Sequence, residues 1–431
     1  MTPEIVGLIG IVVLVILLFS RMWIGLAMAL IGFLGCLYLT DIESSLVTMG
    51  TVPYSRIAFY PLAAVALFIL MGVIVSNTGV AGDLYFTAYK WVGHLRGGLA
   101  MATVVACGGF AAVSGSSAAG AATMGKVALP EMRKYNYDTK LATGSIAAGG
   151  TMGILIPPSL GFILYGILTE QSVGKLFMAG IFPGLLEMIF YIVTIFIICQ
   201  FNPQLGPPGP RTDLKEKIIS LKNTWHIVIL FLLVIGGIYL GIFTPTEAGA
   251  IGAFGAILIT FFSRRLNLRN FVDSLMDAGL TTAMVLLMVL GAYIFIRFMA
   301  VSKLPFLLGE VIAALTLPNL VIIIAIIIFY IIVGMFLDIF SSIILTLPIV
   351  YPVILAMGFD PIWLGVIIVR VMEVGLITPP VGMNVFVLAG ATDVPLGTIF
   401  RGVVPFVVAD ILHIALLVAF PAISLFIPSH M

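Results

Sequence analysis

Apolar runs of membrane-crossing length follow one another along this chain: Ile5 to Phe19, Trp23 to Leu39, Phe59 to Val75, Lys175 to Cys199, Ile227 to Phe243, Ala248 to Phe262 and Leu280 to Ala300. A hydrocarbon core of about 30 Å takes roughly 20 such residues as helix, and every backbone N–H and C=O inside it must be satisfied within the chain. The fold expected is therefore an all-α polytopic membrane protein. Charged residues make up only 9% of the 431, against about a quarter in soluble chains, and no polar stretch is long enough to bury a separate soluble core. A net charge of +1 gives no basis for a nucleic-acid partner. Cys36, Cys107 and Cys199 sit in apolar runs without CxxC spacing, so they read as packing residues. Glu4 precedes the first run and Arg21 follows it, which reads as a retained first span with its N-terminus outside.

Two stretches depart from this pattern. Leu99 to Thr123 is apolar but broken by Gly108, Gly109, Ser114, Gly115, Ser116, Ser117 and Gly120, and basic residues flank it on both sides. Cationic loops stay cytoplasmic, so a segment entering and leaving by one face is a re-entrant hairpin, here about 99–123 with its tip at SGSS. From Leu141 the chain crosses outward to about 169, interrupted at Gly149, Gly150, Gly153, Pro157 and Pro158. Proline removes a backbone donor and clashes with the preceding turn, so this is a broken helix with unpaired carbonyls near mid-membrane.

A Pro-rich linker and an amphipathic surface helix (about 202–226) separate this first half, 1–201, from a second half, 227–431, that repeats it. A constant shift of 222 positions carries Pro130 to Pro352, Asp138 to Asp360, Gly153 to Gly375, Pro157 and Pro158 to Pro379 and Pro380, Gly180 to Gly402, and Pro183 to Pro405. A second hairpin is thus expected at about 321–352, with Asp338, Ser341 and Ser342 near its tip, and a second broken helix at about 362–387. Five crossings lie between the two hairpins, and an odd number inverts the repeats. With this topology 15 of the 20 lysines and arginines fall on the cytoplasmic side.

Inverted repeats with helices interrupted at mid-membrane suit transport, because the breaks offer carbonyls to a cation and helix N-termini to an anion. Ser114 to Ser117 against Gly149 to Ser159, and Asp338, Ser341 and Ser342 against Gly375 to Asn384, supply the hydroxyls and carbonyls of a hard oxygen site for sodium. The alternative reading is that these small residues only permit close helix packing. Arg297, alone in its span, is either a fork for a substrate carboxylate or a cation snorkelling to the outer interface. Asp338 is expected to serve the cation, the substrate or a helix cap. Arg370 and Glu373, one turn apart, read as a structural pair, Glu187 and Asp410 as polar contacts between helices or subunits, and the four histidines carry no assigned chemistry. GxSxG, GxGD and HExxH motifs are absent, so no enzyme is expected.

The segments SGSSAAGAATMGKVALPEM, GGTMGILIPPS, LDIFSS and EVGLITPPVGMN, in that order, resemble the large membrane subunit of a tripartite ATP-independent periplasmic (TRAP) transporter over essentially the whole chain. The resemblance implies an elevator-type fold, and sodium as the coupling ion with no other cofactor. The partners implied are a small four-helix membrane subunit and a periplasmic substrate-binding protein delivering an organic acid anion across the bacterial inner membrane. It implies sodium ligands among Ser114, Gly115, Ser117, Gly149, Thr151, Gly153 and Pro157, and among Asp338, Ser341, Ser342, Gly375, Thr378 and Gly382. Substrate contacts are implied at Ser116, Ser159, Arg297 and Asp338. A self-sufficient sodium-dicarboxylate symporter is the second expectation.

Overall fold

The computed structural model describes residues 1–314 and 317–431, and every regular element among them is helical. The first half runs α1 (Pro3–Phe19), α2 (Ile24–Leu39), α3 (Ile42–Ile57), α4 (Ala63–Asn77), α5 (Val80–Val92), α6 (Gly98–Ser114), α7 (Ser117–Lys134), α8 (Thr139–Thr151), α9 (Leu160–Thr169) and α10 (Val173–Phe201). The linker carries α11 (Leu214–Ser220). The second half runs α12 (Trp225–Tyr239), α13 (Pro245–Phe262), α14 (Leu268–Ser302), α15 (Leu304–Ala314), α16 (Asn319–Phe336), α17 (Ile339–Ala356), α18 (Pro361–Gly375), α19 (Met383–Ala391) and α20 (Leu396–Ala419), followed by the short α21 (Ala422–Leu425). Among the described residues, six helices are long and apolar enough to cross a membrane unaided.

The shift of 222 positions reaches well beyond the sequence landmarks. Adding 222 to the bounds of α7, 117–134, gives 339–356, the bounds of α17. The same addition takes α1 to 225–241 against α12 at 225–239, and α2 to 246–261 against α13 at 245–262. One pair of elements departs from this match. α3 and α4 are separate helices with a break at Ala58–Leu62, whereas their counterparts are fused into the 35-residue α14. The first half carries Pro53 and Pro61 there, and the second carries Leu275 and Ala283, which keep the donors that a continuous helix needs. At 1.5 Å per residue α14 is about 52 Å long, more than the hydrocarbon core requires.

Both hairpins form, each longer than the sequence suggested. The first is α6 and α7, running to Lys134 and turning at Gly115 (φ 59°), a left-handed position suited to glycine; Ser116 then caps α7 by accepting from the Ala119 amide at 3.4 Å. The second is α16 and α17, turning at Leu337 and Asp338, with Asp338 accepting from the amides of Phe340 (3.0 Å) and Ser341 (3.3 Å). The broken helices are α8/α9, interrupted at 152–159, and α18/α19, interrupted at 376–382. Their Pro157–Pro158 and Pro379–Pro380 bonds are cis.

The two halves interlock reciprocally. α7 packs on α19 of the other half and α17 packs on α9, while α8 lies against α20 and α18 against α10 and α16. At the base of the first hairpin Arg133 pairs with Asp393, just past α19, at 2.6 Å; at the base of the second, the Tyr351 hydroxyl accepts from the Gln171 amide, just past α9, at 3.1 Å. These bases lie at opposite faces, since Lys90–Glu216 and Arg265–Asp83 pair among the segments expected to be cytoplasmic, whereas Glu170 and Thr244, expected outside, line one cavity. The repeats are therefore inverted. Around them α14 packs on α1, α2, α3 and α4, and α13 on α4 and α12.

Candidate functional site

Each hairpin tip is pressed against the break of the helix that follows it. A Cβ placed on Gly153 would stand 2.7 Å from the carbonyl carbon and oxygen of Ser116 and 2.8 Å from the Ser117 nitrogen, so only glycine admits this contact. In the other half a Cβ on Gly375 would come within 2.6 Å of the Gly334 Cα in α16. Of the residues expected to bind sodium, Gly153 is against Ser116 and Ser117, and Gly115 is against Pro158 and Leu160; Gly149 instead packs on Cys107 of α6, Ser114 on Gly72 of α4, and Gly375 on Gly334, one turn before the second tip.

The side chains divide into those occupied by the fold and those left without a partner. Ser114 Oγ and Ser342 Oγ are buried with no hydrogen-bond partner, one at each tip. A buried hydroxyl without a partner costs about 1–3 kcal/mol, so each tip keeps one oxygen that the fold leaves unsatisfied. Ser341 Oγ donates to Asp338 Oδ1, and Thr378 Oγ donates to the Val374 carbonyl at 2.6 Å. Gly382 takes up a left-handed conformation (φ 61°) as the cap of α19. The Thr151 hydroxyl is turned away from the tip, toward the Ala148 carbonyl at 2.6 Å and Glu187 and Tyr191 at 3.2 Å, so only its backbone is left to face the break.

Of the residues expected to contact substrate, Ser116 lies in a cavity of about 260 Å³, walled also by Ser114 and Phe340 of the two hairpins and by Asn77, Asp277 and Thr281 of the surrounding helices. Ser159 is fully buried and caps α9, accepting from the Phe162 amide at 3.2 Å, and its neighbour Leu160 reaches the cavity. Asp338 is half-buried at the second tip. Arg297 is not brought to this place. It is exposed on α14, 16 residues beyond Thr281 (297 − 281), about 24 Å along the helix, and makes no ion pair among the described residues. A second cavity, of about 630 Å³, lies toward the opposite face, walled by Arg56, Tyr60, Thr244 and Tyr293 on one side and Glu170 and Gln171 on the other.

Two features escaped sequence reasoning. Asn384, expected opposite the second tip, is fully buried and donates from Nδ2 to Ser117 Oγ at 2.6 Å, so a residue after the second break holds the first tip. Arg370 and Glu373 are also more than a pair. The guanidinium, completely buried, donates to Asp410 at 2.5 Å, to Glu373 at 3.2 Å and to His413 Nδ1 at 2.8 Å, with Glu187 at 3.3 Å. His413, expected to be idle, is a fully buried partner inside α20. Glu187 and Asp410, read as polar contacts between helices or subunits, are contacts between helices, meeting at Arg370.

Residues 11–423 match the sequence model of the family described as "Tripartite ATP-independent periplasmic transporter, DctM component". The chain is 37% identical over 371 residues to the C4-dicarboxylate TRAP transporter large permease protein DctM of Pseudomonas aeruginosa, covering 86% of each. It is 32% identical to the C4-dicarboxylate TRAP transporter large permease protein DctM of Vibrio cholerae, over 97% of this chain and 98% of that one. The sialic acid TRAP transporter large permease protein SiaM of the same organism is 33% identical over 86% of each chain. Among solved structures the crystal structure of the Alcanivorax borkumensis YdaH transporter superposes with a TM-score of 0.62 over 88% of this chain and 90% of that one at 14% identity, a likeness of fold alone. With the family matched from the first helix to the last, this multi-pass membrane protein belongs to the DctM component of the tripartite ATP-independent periplasmic transporters.

Proposed function

We propose that the chain imports an organic acid anion across the bacterial inner membrane, driven by sodium, as the large permease of a three-part system. The observation that carries this reading is the pair of hairpin tips seated on two helix breaks, each with an unpartnered buried hydroxyl, Ser114 and Ser342. Sodium would take oxygen ligands from Ser114, Gly115 and Ser117 with Gly149, Gly153 and Pro157, and from Asp338, Ser341 and Ser342 with Gly375, Thr378 and Gly382. The substrate would lie between the tips, in the cavity holding Ser116, with Ser159 and Asp338 beside it. Relatives are named for C4-dicarboxylates, isethionate, sialic acid and 2,3-diketo-L-gulonate, each of which carries at least one anionic carboxylate or sulfonate group. That group and hydroxyl acceptors or donors around it define the substrate class.

The two cavities support an elevator movement, because both lie along the seam between the hairpins and broken helices and the outer helices, one toward each face. A small membrane subunit would brace the outer helices, and a periplasmic protein would deliver the anion; the family's name carries these partners. Reconstitution into vesicles with both partners tests the reading. Uptake should require an inward sodium gradient and the binding protein, and uptake with neither would refute it.

A further inference from the structure

The linker between the two halves is pinned to the fold along its length. The Gly97 amide donates to the Gly206 carbonyl and the Gly209 amide to the Gly93 carbonyl, both at 2.8 Å, which holds the chain against the turn between α5 and α6 before α11 begins. Asp213 caps α11 by accepting from the Leu214 amide at 2.8 Å, and the helix continues through one 3-10 turn, Leu221–Asn223. Its inner face is fixed to α5: Thr87 Oγ donates to the Ser220 carbonyl at 3.0 Å, and Lys90 Nζ to Glu216 at 2.9 Å. The segment then meets α12 at 56°, so it runs off along the surface where α12 enters the membrane.

The opposite face is exposed and apolar. Leu214, Ile218 and Leu221, spaced by four and three residues, share one side and are 65%, 57% and 44% exposed. Trp225, also exposed, stands just beyond the bend at the start of α12, where an indole ring suits the headgroup level of a bilayer. At about 100° per residue, Lys215 and Lys217 fall on either side of the apolar stripe, and Arg211 and Lys222 stand at its two ends. The two acids of this segment are engaged, Asp213 as the cap and Glu216 with Lys90. Among the described residues none of its four cations makes an ion pair.

We propose that this face of the linker is a binding surface for anionic phospholipid on the side expected to be cytoplasmic. The stripe enters the boundary between headgroups and acyl chains, and Arg211, Lys215, Lys217 and Lys222 meet the lipid phosphates. Continuity with α12 decides in favour of lipid, because a helix joined directly to a spanning helix is held at headgroup depth. Charge decides against a second copy of the chain, which would bring the same four cations against these. The lipid grip also bears on the fold behind it, since α5, to which α11 is tied, packs on both helices of the first hairpin.

The experiment places a bimane label on Ile219→Cys of the full chain in nanodiscs; Ile219 is exposed beside the stripe, and the three native cysteines are buried. Quenching by brominated phosphatidylglycerol among phosphatidylcholine, and by brominated phosphatidylcholine among phosphatidylglycerol, gives the relative affinity of the two lipids at the helix. Each cation close to an anionic surface is worth roughly fivefold in affinity, so phosphatidylglycerol should be preferred by at least about fivefold. The combined Lys215→Gln, Lys217→Gln and Lys222→Gln variant should bring the ratio to within about twofold of unity. About 1 M potassium chloride, where charges are screened beyond about 3 Å, should do the same without any lysine substitution, so a variant that fails to fold does not leave the proposal open. A ratio near unity with all lysines present, or a preference that both the triple variant and salt leave unchanged, overturns the proposal. A label that neither lipid quenches also overturns it, because water or another protein chain would then lie against the stripe. Neither sodium coupling nor the transported solute enters the readout, so failure here is distinguishable from failure of the proposed transport function.

Discussion

Replacing Gly153 by alanine perturbs the candidate site by a single methyl group. The new Cβ would lie 2.7 Å from the Ser116 carbonyl, where ordinary contact begins at 3.4 Å, so the first tip must retreat by about 0.7 Å (3.4 − 2.7). The obstacle is backbone, not a flexible side chain, and overpacking of this kind costs about 1–3 kcal/mol. Oxygen ligands tolerate about 0.2 Å, so a displaced tip should weaken sodium binding by roughly 10- to 100-fold. Gly120 is the matched control: it lies in the same hairpin, but its Cβ would meet nothing closer than 3.5 Å, and alanine there should gain about 0.5–1 kcal/mol of helix stability. The assay is the half-saturating sodium concentration for uptake into vesicles, together with the melting temperature of each variant. If Gly153→Ala matches Gly120→Ala in both, the contact between tip and break is not where sodium is held.

Asn384→Ala removes the 2.6 Å bond to Ser117 that ties the second break to the first tip, and should cost about 1–3 kcal/mol of stability in denaturant unfolding while raising the sodium requirement. Arg370→Leu leaves Asp410 without its partner and should destabilise the fold by about 3–5 kcal/mol, read as loss of monodisperse protein after extraction. Arg297→Ala, at an exposed position distant from the tips, should leave initial uptake within about twofold of the wild type.

The architecture was legible because membrane and proline constraints are local. Apolar runs demand helices, the doublets Pro157–Pro158 and Pro379–Pro380 demand breaks, and their shared spacing revealed the repeat. The helices α3 and α5 were not singled out, since their residues mix polar and apolar character without a run long enough to span. The tips were placed by SGSS and by Asp338 with its serines, but side-chain direction could not be. Thr151 turns to Glu187, not to the tip, and Ser159 to its own helix cap, because a hydroxyl takes the nearest donor or acceptor that the tertiary fold supplies. Arg297 drew attention as a lone cation in an apolar run. Only the length of α14 shows how far it stands from the cavity. The Arg370 cluster joins α8, α10, α18 and α20, residues up to 262 positions apart (413 − 151), and no local pattern announces such a meeting.

The most direct test of the central claim is the sodium dependence of uptake by the complete three-part system in vesicles, measured for the wild type, Ser114→Ala and Ser342→Ala. Two separate sites at the two tips predict a response steeper than a simple saturation curve in the wild type, and a higher sodium requirement in each variant. Uptake that is independent of sodium, or a sodium response unchanged in both variants, would contradict it.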